Sequence, residues 1–156
     1  MSTISARQGQ MLLRAFENLG LDATDIPRGA GLDEAKLEEP SARIAQEQFR
    51  LLIATAERAS DDPLVVLRAA RTSGAPGILS YLALSQDTLR DGVLKFARFA
   101  RLAAEALTVS LEERKLLAFV GIDFTGSVPP SGRRYGTEYL AALCESHIRE
   151  NVEGAP

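Results

Sequence analysis

Pro76–Leu102, PGILSYLALSQDTLRDGVLKFARFARL, is the stretch whose reading decides the fold. It divides at Ser85-Gln86-Asp87 into two helices. In the first, Ile78, Leu79, Tyr81, Leu82 and Leu84 leave almost no polar face, which predicts a buried helix. The second is two-faced. Thr88 is its expected N-cap, with Asp91 three residues on as a shortened capping box. Leu89, Val93, Phe96, Ala97, Ala100 and Ala104 repeat at three- and four-residue spacing, while Arg90, Asp91, Lys95, Arg98 and Arg101 lie mostly off that stripe. The rest of the chain is expected to cover this pair.

Downstream, the period changes from about 3.6 to 2. Leu107, Val109 and Leu111 alternate with Thr108, Ser110 and Glu112, the pattern of a half-buried strand. Glu113-Arg114-Lys115 is expected to turn the chain into a second strand, Leu116–Phe124. That strand is apolar on both faces and should be the more buried of an antiparallel hairpin. Ser127–Gly132 reads as a surface loop, and Arg134 to about Asn151 as a last helix with Tyr135, Tyr139, Leu140, Leu143, Cys144 and Ile148 on its apolar side.

Upstream, Ser5 is placed to cap a helix that reaches Asn18 or Leu19. Gly20-Leu21-Asp22 and Gly31-Leu32-Asp33 each end one helix and begin another, which predicts short helices over Ala23–Ala30 and Glu34–Leu37. The recurrence reflects two similar helix ends rather than a repeat. Pro40 breaks the chain, Arg43-Ile44-Ala45 should be extended, and a strongly amphipathic helix follows from about Gln46 with Phe49, Leu52, Ile53 and Ala56 inward. Asp62 and Pro63 should open a helix running to about Arg71, and Thr72–Ala75 a loop. Helices, then a hairpin, then a helix make an α+β domain.

With 156 residues, 46% hydrophobic and 25% charged, residues 1–156 read as one domain with a real core. Eighteen basic against 21 acidic residues leave a net charge of −3, not the basic excess of a nucleic-acid binder. A single Cys excludes an internal disulfide and fits a reducing compartment. No apolar run is long enough to span a membrane, and MSTISARQGQ lacks a signal pattern, so a cytoplasmic domain is expected.

Little points to catalysis. His147 is the one histidine, so any Ser-His-Asp or Cys-His arrangement must route through it. Cys144 shares its helix face, but two ligands are too few for a structural metal site. The ordinary reading is core packing for Cys144 and a surface or helix-end place for His147. No carboxylate pair or phosphate-binding loop stands out, and neither enzyme activity nor a cofactor is expected. Arg71, Arg98 and Arg101 are candidates to hold an anion, against the commoner reading of a solvated helix face. Tyr81, Phe96 and Phe99 are candidate pocket walls; Phe96 lies on the main stripe, where core packing explains it.

The order of motifs carries more. GLDEAKLEEPSARIAQEQF (Gly31–Phe49), ASDDPLVVLRAA (Ala59–Ala70) and the opening stretch together resemble the N-terminal effector domain of AraC/XylS-type transcription regulators. Within that family they resemble the arabinose-binding-domain-like group typified by ornithine-utilisation regulators. The matching pieces are Gly31-Leu32-Asp33, Glu39-Pro40-Ser41-Ala42-Arg43-Ile44, Asp61-Asp62-Pro63, Gly77-Ile78-Leu79-Ser80-Tyr81 and, more loosely, Ser85–Leu89. The resemblance covers most of the chain from about Met11 to Phe124. Ala45 stands where the family usually has Pro, and Phe99 where it commonly has Tyr.

The resemblance implies a small-molecule effector, a homodimer, and DNA contact only through a C-terminal helix-turn-helix module that this chain, ending at Pro156, does not include. It implies no membrane. The expected pocket is where the two opening helices meet the hairpin, at Tyr81, Phe99 and Phe119, with Arg98 or Arg101 as anion partner. Arg43 is expected to be structural. The alternative is a dimerisation module without a ligand.

Overall fold

The computed structural model describes residues 2–22, 24–39, 41–73, 77–126 and 130–151. In chain order they form β1 (Thr3–Ser5), α1 (Ala6–Asn18), α2 (Ile26–Gly29), α3 (Glu34–Glu38), β2 (Arg43–Ala45), α4 (Gln46–Ser60), α5 (Val65–Thr72), α6 (Ile78–Leu84), α7 (Leu89–Ala103), β3 (Leu107–Arg114), β4 (Leu117–Phe124) and α8 (Pro130–Asn151). The fold is mostly helical, with two small antiparallel two-strand sheets and a C-terminal helix.

Helix ends follow local chemistry. Gly20 and Gly31 both take the left-handed conformation, at φ 82° and 63°. The amides of Leu21 and Leu32 then donate back to the carbonyls of Phe16 and Pro27, a Schellman closure at each. Thr88 caps α7 by accepting from the Asp91 amide at 3.1 Å, and its hydroxyl donates to the Asp91 carboxylate at 2.7 Å. Asp22 and Asp62 behave differently from expectation. Each carboxylate accepts the amide two residues on, from Thr24 at 3.0 Å and Leu64 at 2.9 Å, as the α3 cap Asp33 does from Ala35, but Thr24-Asp25 bend and Pro63-Leu64 turn before the helix begins. Hence α2 and α5 begin later than read, at Ile26 and Val65. Conversely, α8 begins at Pro130, inside the expected loop; Ser127–Pro129 of that loop, and Gly74 and Ala75 of the earlier one, lie outside the described residues.

The core is not centred on the opening stretch. Leu12, Ala15 and Phe16 of α1, Leu52, Ile53 and Ala56 of α4, Val65, Val66, Ala69 and Ala70 of α5, Ile26 and Ile44 are fully buried together. Tyr135, Tyr139, Ala142 and Leu143 of α8 close that core from another side. The Tyr135 hydroxyl donates to the Glu57 carboxylate of α4, and Arg71 of α5 pairs with Glu145 at 3.2 Å.

The small β1–β2 sheet joins this helical body to the next layer. β1 was not anticipated; Thr3, Ile4 and Ser5 pair with Ala45, Ile44 and Arg43. Arg43 is structural, as expected. Its guanidinium donates to the Thr3 hydroxyl at 2.6 Å, the Thr3 carbonyl at 3.2 Å and the Leu102 carbonyl at 3.1 Å, fastening the end of α7 to β1. The amide of Ala45, which a Pro there would lack, donates to Gln48 Oε1 at 3.1 Å.

α6, α7, β3 and β4 form the second layer, and here two expectations fail. α6 is not buried: Ile78 and Tyr81 are 71% and 72% exposed, and only Leu79 and Ser80 are covered. It packs chiefly on α7, so one helix face is all that can be hidden. β4 is the more exposed hairpin strand, with Leu117 at 65% and Phe119 at 48%. The register explains this. Leu107, Val109 and Leu111 face inward opposite Phe124, Ile122 and Val120, which leaves Phe119 and Leu117 on the outer face. The turn is Lys115-Leu116, with Lys115 at φ 51°.

Candidate functional site

Where α6, α7, β3, β4 and α8 converge, a cavity of about 160 Å³ remains. Ala83, Gly92, Val93, Phe96, Val109, Val120, Leu140, Leu143 and Ile148 make its wall almost wholly apolar. Leu84, Gln86, Thr88 and Leu89, from the α6–α7 junction, also line it. Ser80, Cys144 and His147 are its remaining polar groups.

Why the sequence leaves a space here is visible in its parts. Gly92 lets α7 approach α6 so closely that a Cβ on it would stand 2.7 Å from the Ala83 carbonyl oxygen. Val93 and Phe96 of α7 line the space together with the short side chains of Ser80 and Ala83 of α6. The hairpin presents only Val109 and Val120 to the gap. α8 is committed to the helical core through Tyr135, Tyr139 and Leu143, so its next turn, Cys144–Ile148, spans the opening without filling it.

The polar groups of the wall are uncharged at neutral pH or already bonded. Burial lowers the His147 pKa from its usual 6.5, opposed by the nearby Glu150 carboxylate. Burial also raises the Cys144 thiol pKa. Gln86 donates to the Leu82 carbonyl at 2.9 Å, and the Thr88 hydroxyl is used in its cap. Ser80 is 2% exposed, and its hydroxyl has no partner among the described residues.

None of the five expected site residues lines this cavity. Tyr81 points outward on α6. Phe119, one residue from Val120, is on the opposite face of its strand, with the Arg114 guanidinium 5.5 Å from its ring centre. Arg98 follows Phe96 by two residues, roughly 200° round the helix, and stands 5.4 Å over the Phe99 ring. Arg101 donates to the Glu105 carbonyl at 3.0 Å. Arg71, the third candidate, is paired with Glu145. The cavity lies at the junction of the two helices with the hairpin, on other faces than those that carry the five residues. Cys144 was read as core packing and His147 as a surface or helix-end residue; both line the gap, His147 from near the end of α8. The signal available was a pair of polar residues set inside the Leu140, Leu143, Ile148 stripe.

Among the described residues no cluster of His, Cys, Asp or Glu could hold a metal. No described helix is long and apolar enough to cross a membrane. What the fold defines, then, is a helical α+β domain around a small apolar cavity. A family model for the arabinose-binding domain of AraC transcription regulators, N-terminal, matches residues 20–156, and the chain belongs to that family. It is a family of regulator effector domains and not of enzymes. The match extends the motif resemblance through α8 and does not reach the level of the ornithine-utilisation branch. No curated protein matches the sequence.

Proposed function

We propose that this domain senses a small-molecule effector in the cavity between α6, α7, the hairpin and α8, and that the regulator works as a cytoplasmic homodimer. The observation that carries the reading is the double attachment of α8. One stretch of the helix is anchored to the core by Tyr135, Tyr139 and Leu143, and its Cys144–Ile148 turn lines the cavity. A molecule in the cavity touches that turn directly. Occupancy then shifts the balance between two positions of α8, provided the molecule binds one more tightly.

The exposed apolar residues support the dimer. Leu117 and Phe119 lie on the outer face of β4, and Ile78 and Tyr81 on α6. Tyr81, Phe99, Phe119, Arg98 and Arg101 are therefore better candidates for subunit contact than for effector contact. This same surface favours the second reading, a dimerisation module without a ligand. A thermal-shift screen of small metabolites with sedimentation analysis separates the two. A sensor is stabilised by at least one chemical class through mass action. A stable dimer that no class stabilises would sink the sensing proposal and leave the second.

A further inference from the structure

The wall of the cavity restricts what can enter it. We infer that it takes an uncharged, mostly apolar molecule of about six to ten heavy atoms, hydrogen-bonded by the Ser80 hydroxyl. This inference rests on the proposal that the cavity is the effector site.

Size comes first. An enclosed apolar cavity of about 150 Å³ holds benzene; this one is about 160 Å³ and is open to solvent on one side, with Leu84, Leu89 and Val120 of its lining exposed. Charge comes next. No Arg, Lys, Asp or Glu lines the cavity. A carboxylate or ammonium placed there would lose its hydration with no opposite charge to replace it. His147 does not supply one, because burial favours its neutral form. The candidate cations Arg98 and Arg101 are on other faces of α7.

Hydrogen-bonding capacity sets the third limit. A pentose carries a hydroxyl on nearly every carbon, and each needs a partner when buried. Thr88 and Gln86 are already engaged in the α6–α7 junction. Ser80 is different. It is buried in the wall, lacks a partner among the described residues, and has both a donor and acceptor lone pairs to offer. One hydroxyl, carbonyl or amine nitrogen of neutral character matches it, and the remainder of the ligand meets Val93, Phe96, Val109 and Val120.

The test compares toluene, p-cresol, benzoate and L-arabinose by thermal shift and calorimetric titration at pH 7.5. Two cavity-filling variants from different walls, Val93→Phe and Cys144→Phe, guard against one failing to fold, and Ser80→Ala tests the anchor. The expected result is a rise of roughly 3–6 °C at ten times Kd for p-cresol. Toluene should bind more weakly, and benzoate and arabinose should give no shift at equal concentration. Both filling variants should abolish the p-cresol response, and Ser80→Ala should remove its advantage over toluene. If benzoate or arabinose binds as well as p-cresol, and the filling variants abolish it, the site stands and the inferred ligand class is wrong. An unchanged p-cresol advantage in Ser80→Ala overturns the anchor. If no probe shifts the midpoint, or the shifts survive in both filling variants, the cavity is not the site and the inference falls with it.

Discussion

Replacing Gly92 by alanine tests the close approach that shapes the cavity. In a helix interior, Gly→Ala alone is worth about 1 kcal/mol in favour of folding. Here the added Cβ meets the Ala83 carbonyl oxygen at 2.7 Å, with the carbonyl carbon at 3.4 Å. Carbon–oxygen contacts of this kind lie at about 3.3–3.6 Å, so α6 and α7 must part by roughly 0.6 Å or more. The obstacle is main chain and cannot rotate away. Overpacking of this sort costs about 1–3 kcal/mol, and the net expected is a loss of about 1 kcal/mol, up to 2. Gly9 of α1 is the internal control. Its added Cβ would meet Leu37 Cδ2 at 3.1 Å and Ile44 Cδ1 at 3.4 Å, both mobile side-chain ends. Gly9→Ala should therefore stay within about 0.5 kcal/mol of the parent. Urea unfolding of the two variants gives the comparison directly. A Gly92→Ala protein more stable than the parent, or less affected than Gly9→Ala, would refute the close approach of the two helices.

Three further outcomes are expected. Tyr135→Phe removes the hydroxyl that donates to Glu57 and should cost about 1–2 kcal/mol by chemical denaturation. That bond, with burial, raises the Tyr135 pKa above 10.0, so its contribution is complete below pH 10 and disappears as pH rises through the folded value; absorbance titration of the phenolate reads the same shift. His147 has the opposite sense: burial lowers its folded pKa, so the stability at stake is complete above pH 6.5 and falls as pH drops through the folded value. His147→Gln should flatten the midpoint-against-pH curve below pH 6.5, and an unchanged slope would remove His147 from the buried wall. Arg43→Ala should lose about 1–3 kcal/mol in urea with the bonds to Thr3 and Leu102, and Arg43→Lys should recover only part, since an ammonium cannot reproduce the fork.

Several helix ends, the cap of α7, strand alternation and the family were readable from the chain because each depends on neighbours a few residues apart. Gly20 and Gly31 close helices by letting the amides of Leu21 and Leu32 reach carbonyls five residues back, and Thr88 caps α7 within one turn. Asp22 and Asp62 were misread because the same side chain that caps a helix also stabilises a turn, and local sequence does not separate the two.

Periodicity determines which residues of an element can share a face, and it did so for Leu107, Val109 and Leu111. It does not determine what stands opposite that face. α6 and β4 are apolar enough to be buried, yet Tyr81 and Phe119 face outward, because only one side of each has a neighbour in this chain. The stretch from Pro76 to Leu102 was expected to be the centre of the core; tertiary packing gave that place to α1, α4 and α5 and left the stretch as one wall of a cavity. The cavity itself is a property of distances between elements far apart in sequence. Ser80, Val93, Val120 and His147 meet only because α8 is anchored elsewhere, at Tyr135 and Tyr139. Sequence alone determined the family and the element order from α1 onward, while β1 and the facing of side chains across a gap were decided by the fold.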